Sequence, residues 1–170
     1  DLNADFAGMN FFDGQGILIR DDTFPQAATL SATMLDSAKV CVGTGTTTEG
    51  NLADFDTSNS VGMDIIGVVD AAEGTAKLQS GECDAFTGDM SAMVAKKWAL
   101  DNDGTVVDAN GDPVGLWIAP EILSTEPLGA ATRDNDDDWN DVVAWVWYGM
   151  VTAEEYGITS ANYMTMASDA

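Results

Sequence analysis

The stretch VCVGTGTTTEGNLADF, Val40 to Phe55, decides the fold expected for this chain. A short apolar run ends at a turn of glycine and threonine, and a helix is predicted to begin at about Thr47. The first turn of a helix has backbone N–H groups without intrahelical acceptors, and the helix dipole favours negative charge there. The pattern therefore predicts a strand, a turn and a helix whose start is suited to an anion.

The turn does not match the loops that bind nucleotides. A Walker-type loop needs Lys followed by Ser or Thr after its second glycine, and the dinucleotide fingerprint needs a third glycine where this chain has Thr48. A smaller anion, most simply a carboxylate, is the expected ligand. The alternative is an ordinary capped helix, with Thr46 or Thr47 as the N-cap and Glu49 completing a partial capping box.

The composition indicates a globular, strongly acidic protein. With 170 residues, 45% of them apolar, the chain can bury the core of one or two small domains. Its net charge of −23 disfavours binding to nucleic acid and to anionic membrane surfaces, and it suits a marine or saline habitat. No apolar run reaches the roughly 18 residues of a membrane-spanning helix, so direct membrane insertion is not expected. The chain begins without Met, and we expect a processed or partial sequence.

Strands and helices are predicted to alternate along the first hundred residues, which favours an open, mainly parallel α/β sheet. Gly81 is expected to end one helix, and MDIIGVV is expected to be a buried strand. The predicted strands are Gly16 to Arg20, KVCV from Lys39, Met63 to Val69 and CDAFTG from Cys83. The predicted helices are Phe24 to Ala38, a helix from about Thr47, AAEGTAKLQS from Ala71, and Asp89 to Leu100.

The two cysteines, Cys41 and Cys83, lie on predicted strands and outside any metal-binding spacing. If those strands are neighbours, a disulfide is geometrically plausible, would stabilise the fold by about 3–4 kcal/mol on the chain-entropy model, and would indicate an oxidising compartment. Two buried free thiols in a reducing compartment are the alternative.

Ligands of open α/β sheets bind beyond the carboxyl ends of the strands. Two such ends stand out, Gly43 to Thr47 and Gly88-Asp89, and a cysteine pair would bring them together. Backbone donors at the first end suit a carboxylate, and Asp89 suits an ammonium, so the pair suits a zwitterion. The alternative for Asp89 is a second helix N-cap.

The rest of the chain contains two acidic loops and a long helix. LDNDGTVVDANGDP, Leu100 to Pro113, fails the register of a calcium loop and is predicted to form two turns around a short strand. Extended pieces are expected around Pro120 and Pro127. A helix is predicted from the acids at 136–138 to Gly157, with a packing surface that needs a partner, formed by Trp139, Val142, Val143, Val146, Trp147 and Met150.

Several stretches carry a resemblance to a known family. They are DFAGMNFFDGQGILIR, GTTTE within Val40 to Leu52, SGECDAFTGD, and PEILSTEPLGAATR through WNDVVAW to AEEYGITSAN. Together they cover most of the chain in order. The sequence resembles the periplasmic solute-binding proteins of polar amino-acid ABC transporters, in particular the general L-amino-acid-binding subgroup.

The resemblance implies the type II periplasmic-binding-protein (flytrap) fold, with one complete lobe, a mainly parallel sheet and part of the other lobe. Residues 1–12 would end the first lobe and cross the hinge, and residues 13–118 would form the second lobe. Residues 119–126 would cross back, and residues 127–170 would return to the first lobe. The family's upstream Arg that clamps the ligand carboxylate lies outside this chain, so the sequence resembles an internal piece of a longer protein.

The resemblance also implies a function. A free L-amino acid would be captured by lobe closure and delivered to an ABC permease, in the periplasm and without a cofactor, a metal or catalysis. Backbone N–H groups around Thr46 and Thr47 would receive the carboxylate, Asp89 would hold the ammonium, and Gly43 and Gly88 would border the side-chain pocket. Gly45 is a further expected ligand-binding residue. Pairing of Cys41 with Cys83 fits the subgroup. The competing functions are a dehydratase-like enzyme on the same fold and a ligand-sensing receptor lobe.

Overall fold

A computed structural model describes residues 3–166 of the chain. These residues form two compact units, Asp13–Glu126 on the one hand and residues 3–12 with 127–166 on the other. The assignment of these units to lobes joined by hinge crossings stays a prediction. The strands are β1 (Ala4–Arg20), β2 (Lys39–Gly43), β3 (Asp64–Val68), β4 (Ala85–Asp89), β5 (Leu116–Ile118) and β6 (Thr125–Arg133). The helices are α1 (Gln26–Thr29), α2 (Thr47–Asn59), α3 (Ala71–Ser80), α4 (Met90–Asp103), α5 (Asp137–Glu155) and α6 (Tyr163–Met166).

The larger unit contains a mixed sheet with the strand order β3-β2-β4-β1-β5. β2 is parallel to both β3 and β4, as the alternation of strands and helices predicts. β1 is antiparallel to β4 and to β5. The sheet is therefore α/β with three neighbouring parallel strands, and β1 is the strand that runs the other way.

Both faces of this sheet are covered, which explains its continuous apolar runs. Ile17, Ile19 and Val40 belong to one buried cluster, whereas Leu18 and Cys41 belong to the cluster on the opposite face. This alternation follows from the two-residue repeat of a strand. β3 differs because it lies at the edge of the sheet, and its residues are half-buried or exposed apart from Val68. The predicted strand from Met63 to Val69 is present, but the expectation that it is fully buried is wrong.

A disulfide joins Cys41 to Cys83, with 5.9 Å between the Cα atoms. Cys41 lies on β2 and Cys83 lies two residues before the start of β4, and these two strands are neighbours. The prediction of a disulfide is confirmed, and the alternative of two free thiols is wrong.

The helix predicted from Phe24 to Ala38 is wrong. α1 has four residues and ends at Leu30, whose φ of 55° is left-handed, and a separate 3-10 turn follows over Ala32–Met34. Glu121 interrupts the helix from outside, since its carboxylate accepts hydrogen bonds from the Ser31 hydroxyl (2.5 Å) and the Ala32 N–H (2.9 Å). A tertiary contact therefore overrides the local helical pattern.

The acidic loop after α4 forms a turn that its own side chains hold together. Val107 and Pro113 form an isolated bridge, and the Asp108 carboxylate accepts the N–H groups of Asn110 (2.8 Å) and Asp112 (2.9 Å). Within residues 3–166, no group of three or more His, Cys, Asp or Glu side chains is arranged to hold a metal ion.

In the smaller unit, β6 pairs with β1 and α5 has the predicted long helical form. Asp137 and Asp138 lie in the first turn of α5, where the helix dipole favours acids. No described residue of α5 is buried, and Trp145 is 71% exposed. Among the described helices, none has the length and hydrophobicity that a membrane crossing requires.

Candidate ligand-binding site

The carboxyl ends of three parallel strands meet at one edge of the larger unit's sheet. β2 pairs with β3 so that Gly43 lies opposite Val68. On the other side of β2, Cys41 lies opposite Phe86 of β4, and the same register two residues further on brings Gly43 level with Gly88. Each strand leads into a helix, so the starts of α2, α3 and α4 surround one cleft of about 310 Å³. The cleft is lined by Gly43, Thr44, Thr46, Thr48, Val68, Val69, Asp70, Ala71, Phe86, Thr87, Gly88, Asp89, Ala92 and Met93.

The start of α2 is capped by its own residues. The Thr46 hydroxyl accepts the N–H of Glu49 (3.2 Å) and donates to the carbonyl of Gly43 (2.7 Å). The Glu49 carboxylate in turn accepts the N–H of Gly45 (2.7 Å). Thr46 is therefore the N-cap, and the N–H groups of Thr47 and Thr48 belong to the first turn, which has no intrahelical acceptors.

The start of α3 is capped in the same way. Asp70 is the N-cap, and its carboxylate accepts the N–H of Glu73 (2.8 Å). The Glu73 carboxylate reaches back to the N–H of Val69 (2.8 Å), the residue before the N-cap, as Glu49 does to Gly45, so the two starts share a variant of the capping box. The Asp70 side chain lines the cleft but is already engaged by its own helix.

The start of α4 is different, because Asp89 occupies the N-cap position and its side chain makes no capping hydrogen bond. Asp13 does the capping instead. Its carboxylate accepts the N–H of Ser91 (3.2 Å) and a short hydrogen bond from the Ser91 hydroxyl. The carboxylate of Asp89 is thus not used by its own helix, and it lines the cleft.

Neighbouring groups alter the acidity of these two carboxyls in opposite directions. Burial, followed by the charges of Glu126 and Asp13, raises the pKa of Asp89. The hydrogen bond from Ser91 lowers the pKa of Asp13. Glu126 and Asp13 therefore place two further negative charges near Asp89, and a cation bound beside it would relieve their repulsion.

The cleft offers separate partners for the two charges of a zwitterion. The first turn of α2 provides backbone N–H groups and the positive end of a helix dipole, which suit a carboxylate. The free carboxylate of Asp89 suits an ammonium. Since none of the residues that line the cleft is Lys or Arg, an anionic group at this surface has to rely on backbone N–H groups and threonine hydroxyls as donors.

The predicted site residues fall into two groups. Gly43, Thr46, Gly88 and Asp89 line the cleft. Gly45 and Thr47 belong to the same turn but are not among the lining residues. Gly45 has a φ of +73°, a backbone conformation that favours glycine, and its N–H is bound to Glu49. The role of all six residues as ligand contacts stays a prediction.

Sequence reasoning missed several residues that shape the cleft. Thr48 and Thr87 line it, and Asp13 and Glu126 act on Asp89 through their charges. Thr87 was open to prediction because it directly precedes Gly88 on the same strand. Asp13 and Glu126 were not, because only the folded chain brings them to a strand that lies far away in sequence.

Comparison with known proteins identifies the relatives of the chain. It is 40% identical over 168 residues to the glutamate/glutamine/aspartate/asparagine-binding protein BztA of Rhodobacter capsulatus, covering 99% of this chain and 46% of that protein. It is 37% identical over 161 residues to the general L-amino acid-binding periplasmic protein AapJ of Rhizobium johnstonii, covering 95% and 43%. The chain thus spans about half the length of the curated relatives it matches. No family model matches it.

The solved structures agree with these relatives. An ABC transporter periplasmic binding protein from Brucella ovis with glutathione bound superposes with a TM-score of 0.83 at 39% identity, covering 98% of this chain and 48% of that one. An ancestral arginine-binding protein bound to arginine superposes with a TM-score of 0.63 at 21% identity. The match covers 95% of this chain and 63% of that one, and it supports the fold alone. The chain therefore has part of the type II periplasmic-binding-protein fold, and its homologues are amino-acid-binding periplasmic proteins of ABC transporters.

Proposed function

We propose that this chain forms the ligand-binding part of a solute-binding protein that captures a free L-amino acid for an ABC transporter. The observation that carries the proposal is the uncapped Asp89 carboxylate in a cleft that also contains the first turn of α2. An α-amino acid has a carboxylate and an ammonium on one carbon atom. Two neighbouring strand ends can therefore bind both groups at once.

The binding mode follows from the two helix starts. The ligand carboxylate accepts hydrogen bonds from N–H groups of the turn around Thr46, Thr47 and Thr48, and the ligand ammonium donates to Asp89. Gly43, Gly45 and Gly88 keep side chains away from the ligand. A Cβ atom on Gly88 would lie 3.0 Å from the end of the Met93 side chain, so a larger residue there would crowd the cleft.

The same proposal assigns the two units of the chain. Residues 13–118 form one lobe, the segments before Asp13 and at 119–126 cross the hinge, and residues 127–166 belong to the other lobe. The predicted continuation to residue 170 lies outside the described residues. Ligand contacts made by both lobes favour the closed state over the open one, so binding shifts the population towards closure. The closed protein delivers the amino acid to a permease, in the periplasm of the source cell.

A titration of the ¹⁵N-labelled chain tests this function. The ligands are L-glutamate, L-glutamine, L-aspartate and L-asparagine, because BztA is named for binding them. We expect at least one of them to shift the backbone amide signals of Thr47, Thr48, Gly88 and Asp89 in a saturable way. Glutathione is a further arm, since the Brucella ovis protein has it bound. If glutathione gives saturable shifts and none of the amino acids does, the ligand of this site is a peptide and the proposal of an amino acid is wrong.

The variant Asp89→Asn separates specific binding from a general effect of charge. A hydrogen bond to a charged group contributes about 1.5–3 kcal/mol, so the dissociation constant should rise at least tenfold. Asp54→Asn is the matched control, because Asp54 is an exposed residue of α2 outside the cleft lining. Equal affinities of the Asp89→Asn variant and the parent chain would refute the site. An absence of saturable shifts with every ligand would refute the function.

An enzymatic function has less support than binding. A dehydratase-like enzyme would use a general acid in place of the ammonium partner, and an Asp89 outside the cleft would have favoured it. Asp89 lines the cleft, and the relatives are named as binding proteins. The titration also checks this alternative. An enzyme would convert the ligand during the measurement, and the NMR signals of the ligand would change.

A further inference from the structure

Gln15 on β1 lies at the back of the candidate site and is fully buried. It is paired with Asp89 in the register of β1 and β4. Its side-chain Nε2 donates to the carbonyl of Thr48 (3.0 Å) and to the hydroxyl oxygen of Thr87 (3.0 Å). One amide group therefore bonds to the first turn of α2 and to β4, which carry the two halves of the site.

The chemistry of its partners determines which way the Gln15 amide points. The Thr48 carbonyl can only accept a hydrogen bond. The Thr87 hydroxyl uses its proton on the carbonyl of Gly16 (2.8 Å), so it also has to accept from Gln15. Only the NH₂ side of the amide can donate to both oxygens, and the Gln15 Oε1 is left on the other side.

A role as simple core filling does not account for Gln15. Its Oε1 is buried and has no hydrogen-bond partner within residues 3–166. A buried unpaired acceptor is unfavourable, and a methionine or leucine would fill a similar volume without one. What an apolar residue would lose is the double bridge from Nε2 to Thr48 and Thr87.

The backbone of Gln15 extends this bridge to a third segment. Its N–H donates to the Ser124 hydroxyl oxygen (3.1 Å), and the Ser124 hydroxyl donates to the Glu126 carboxylate (2.7 Å). Glu126 is one of the charges that raise the pKa of Asp89. The start of α2, the end of β4 and the segment 124–126 are thus joined through one buried residue.

We propose that Gln15 is a positioning residue of the ligand site, which holds the start of α2 and the end of β4 at the separation that a zwitterionic ligand requires. This inference rests on the proposed amino-acid binding. Gln15 acts through Thr48 and Thr87, because each of its donors engages one half of the cleft. Without these bonds, only the pairing of β2 with β4 and the disulfide hold the carboxylate-binding turn and Asp89 together, and ligand binding has to order the start of α2.

The first test compares Gln15→Met with Gln79→Met in the 170-residue chain. Gln79 also donates its side-chain amide to a threonine hydroxyl, that of Thr105 (2.7 Å), but it lies outside the cleft lining. Titration with the amino acid that binds the parent chain should give a dissociation constant raised at least tenfold by Gln15→Met and less than twofold by Gln79→Met. Equal constants for Gln15→Met and the parent chain would overturn the proposal, even if the variant has a lower melting temperature.

The second test does not depend on a ligand. Amide hydrogen exchange of Glu49 and Gly50, at the start of α2, should become at least tenfold faster in Gln15→Met. Gly74, at the similarly capped start of α3, is the internal reference and should keep its rate. If the parent chain binds no amino acid, the proposed function fails, and this measurement alone decides the positioning role. Unchanged exchange at α2, or equal acceleration at α2 and α3, would overturn it.

Variants at Thr87 test the bridge between Gln15 and Thr87 independently, in case Gln15→Met does not fold. Thr87→Val removes the hydroxyl at nearly constant volume, whereas Thr87→Ser retains it. We expect Thr87→Val to speed exchange at α2 and Thr87→Ser to restore the rate of the parent chain. Where Gln15→Met folds, the two changes should be less than additive in the double variant, since both break the same bond. Additive effects would contradict a shared bridge.

Discussion

The starts of α2 and α4 follow neighbouring parallel strands, yet they are capped in different ways. At α2, the hydroxyl of Thr46 accepts an N–H from the same turn. At α4, the N-cap residue Asp89 makes no side-chain cap. The N–H of Ser91 is instead accepted by Asp13, which lies 78 residues before Ser91 in sequence. The difference shows that an acidic residue at a helix start is free for a ligand when another residue supplies the cap.

The start of α3 strengthens this comparison because it resembles that of α2. Asp70 and Glu73 form a local variant of the capping box, as Thr46 and Glu49 do. Asp70 and Asp89 both occupy N-cap positions and both line the cleft. Their hydrogen bonds differ, since the Asp70 side chain caps its own helix and the Asp89 side chain makes no cap, and a ligand role for Asp89 stays a prediction.

Removal of the disulfide should have the largest effect, because it links β2, which leads to α2, with the segment before β4, which leads to α4. The double variant Cys41→Ala, Cys83→Ala should lower the free energy of unfolding by about 4 kcal/mol, since the bond spans 42 residues in sequence. Urea denaturation of the oxidised parent chain and the variant measures the difference. A reducing agent should destabilise the parent chain and leave the variant unchanged. Equal stabilities would mean that the bond does not restrain the two strands.

Substitution of the two N-cap residues should separate their roles directly. Thr46→Ala should lower the free energy of unfolding by about 1 kcal/mol, the usual loss for a capping threonine. Asp89→Ala should change it by less than about 0.5 kcal/mol, because no capping hydrogen bond is lost. Denaturation curves in one buffer provide both values. A loss at Asp89 as large as that at Thr46 would indicate that Asp89 caps α4 in solution, and the comparison would fail.

The pH dependence of the Asp89 carboxyl is expected to give the smallest and most local effect. A carboxyl whose pKa is higher in the folded than in the unfolded state binds its proton more tightly when folded. Its contribution to stability is therefore present at low pH and is lost as the pH rises through the folded pKa. Ligand binding has the opposite dependence, since an ammonium requires the ionised carboxylate, and it should weaken as the pH falls through the same pKa.

Glu126→Gln sharpens this test because the charge of Glu126 is, after burial, the largest cause of the raised Asp89 pKa. We expect ¹³C NMR of the Asp89 carboxyl to give a pKa above the ordinary value of an aspartate in the parent chain and a lower pKa in the variant. Glu82→Gln, at an exposed position before β4, is the control and should leave the pKa of Asp89 unchanged. An unaltered pKa of Asp89 in Glu126→Gln would exclude the charge of Glu126 as a cause.

Much of the larger unit was predictable because its signals are local. The apolar runs at β2 and β4, the capping pattern of α2 and the left-handed Gly81 after α3 lie within a few residues of the elements they define. A disulfide between Cys41 and Cys83 was plausible if those strands were neighbours, and the resemblance to the amino-acid-binding subgroup favoured it. The segment 24–38 was not predictable in this way, since the carboxylate of Glu121 stops the helix from a distant position.

By itself, the sequence determined the order of strands and helices, the turn that begins α2 and the acidic residue that begins α4, because backbone preferences and caps act over one or two turns. The tertiary structure decided that β1 is antiparallel to its neighbours, that Asp13 and not Asp89 caps α4, and that Gln15 bridges the two halves of the cleft. Each of these depends on hydrogen bonds between segments that are distant along the chain, and local patterns carry no information about which distant partner arrives.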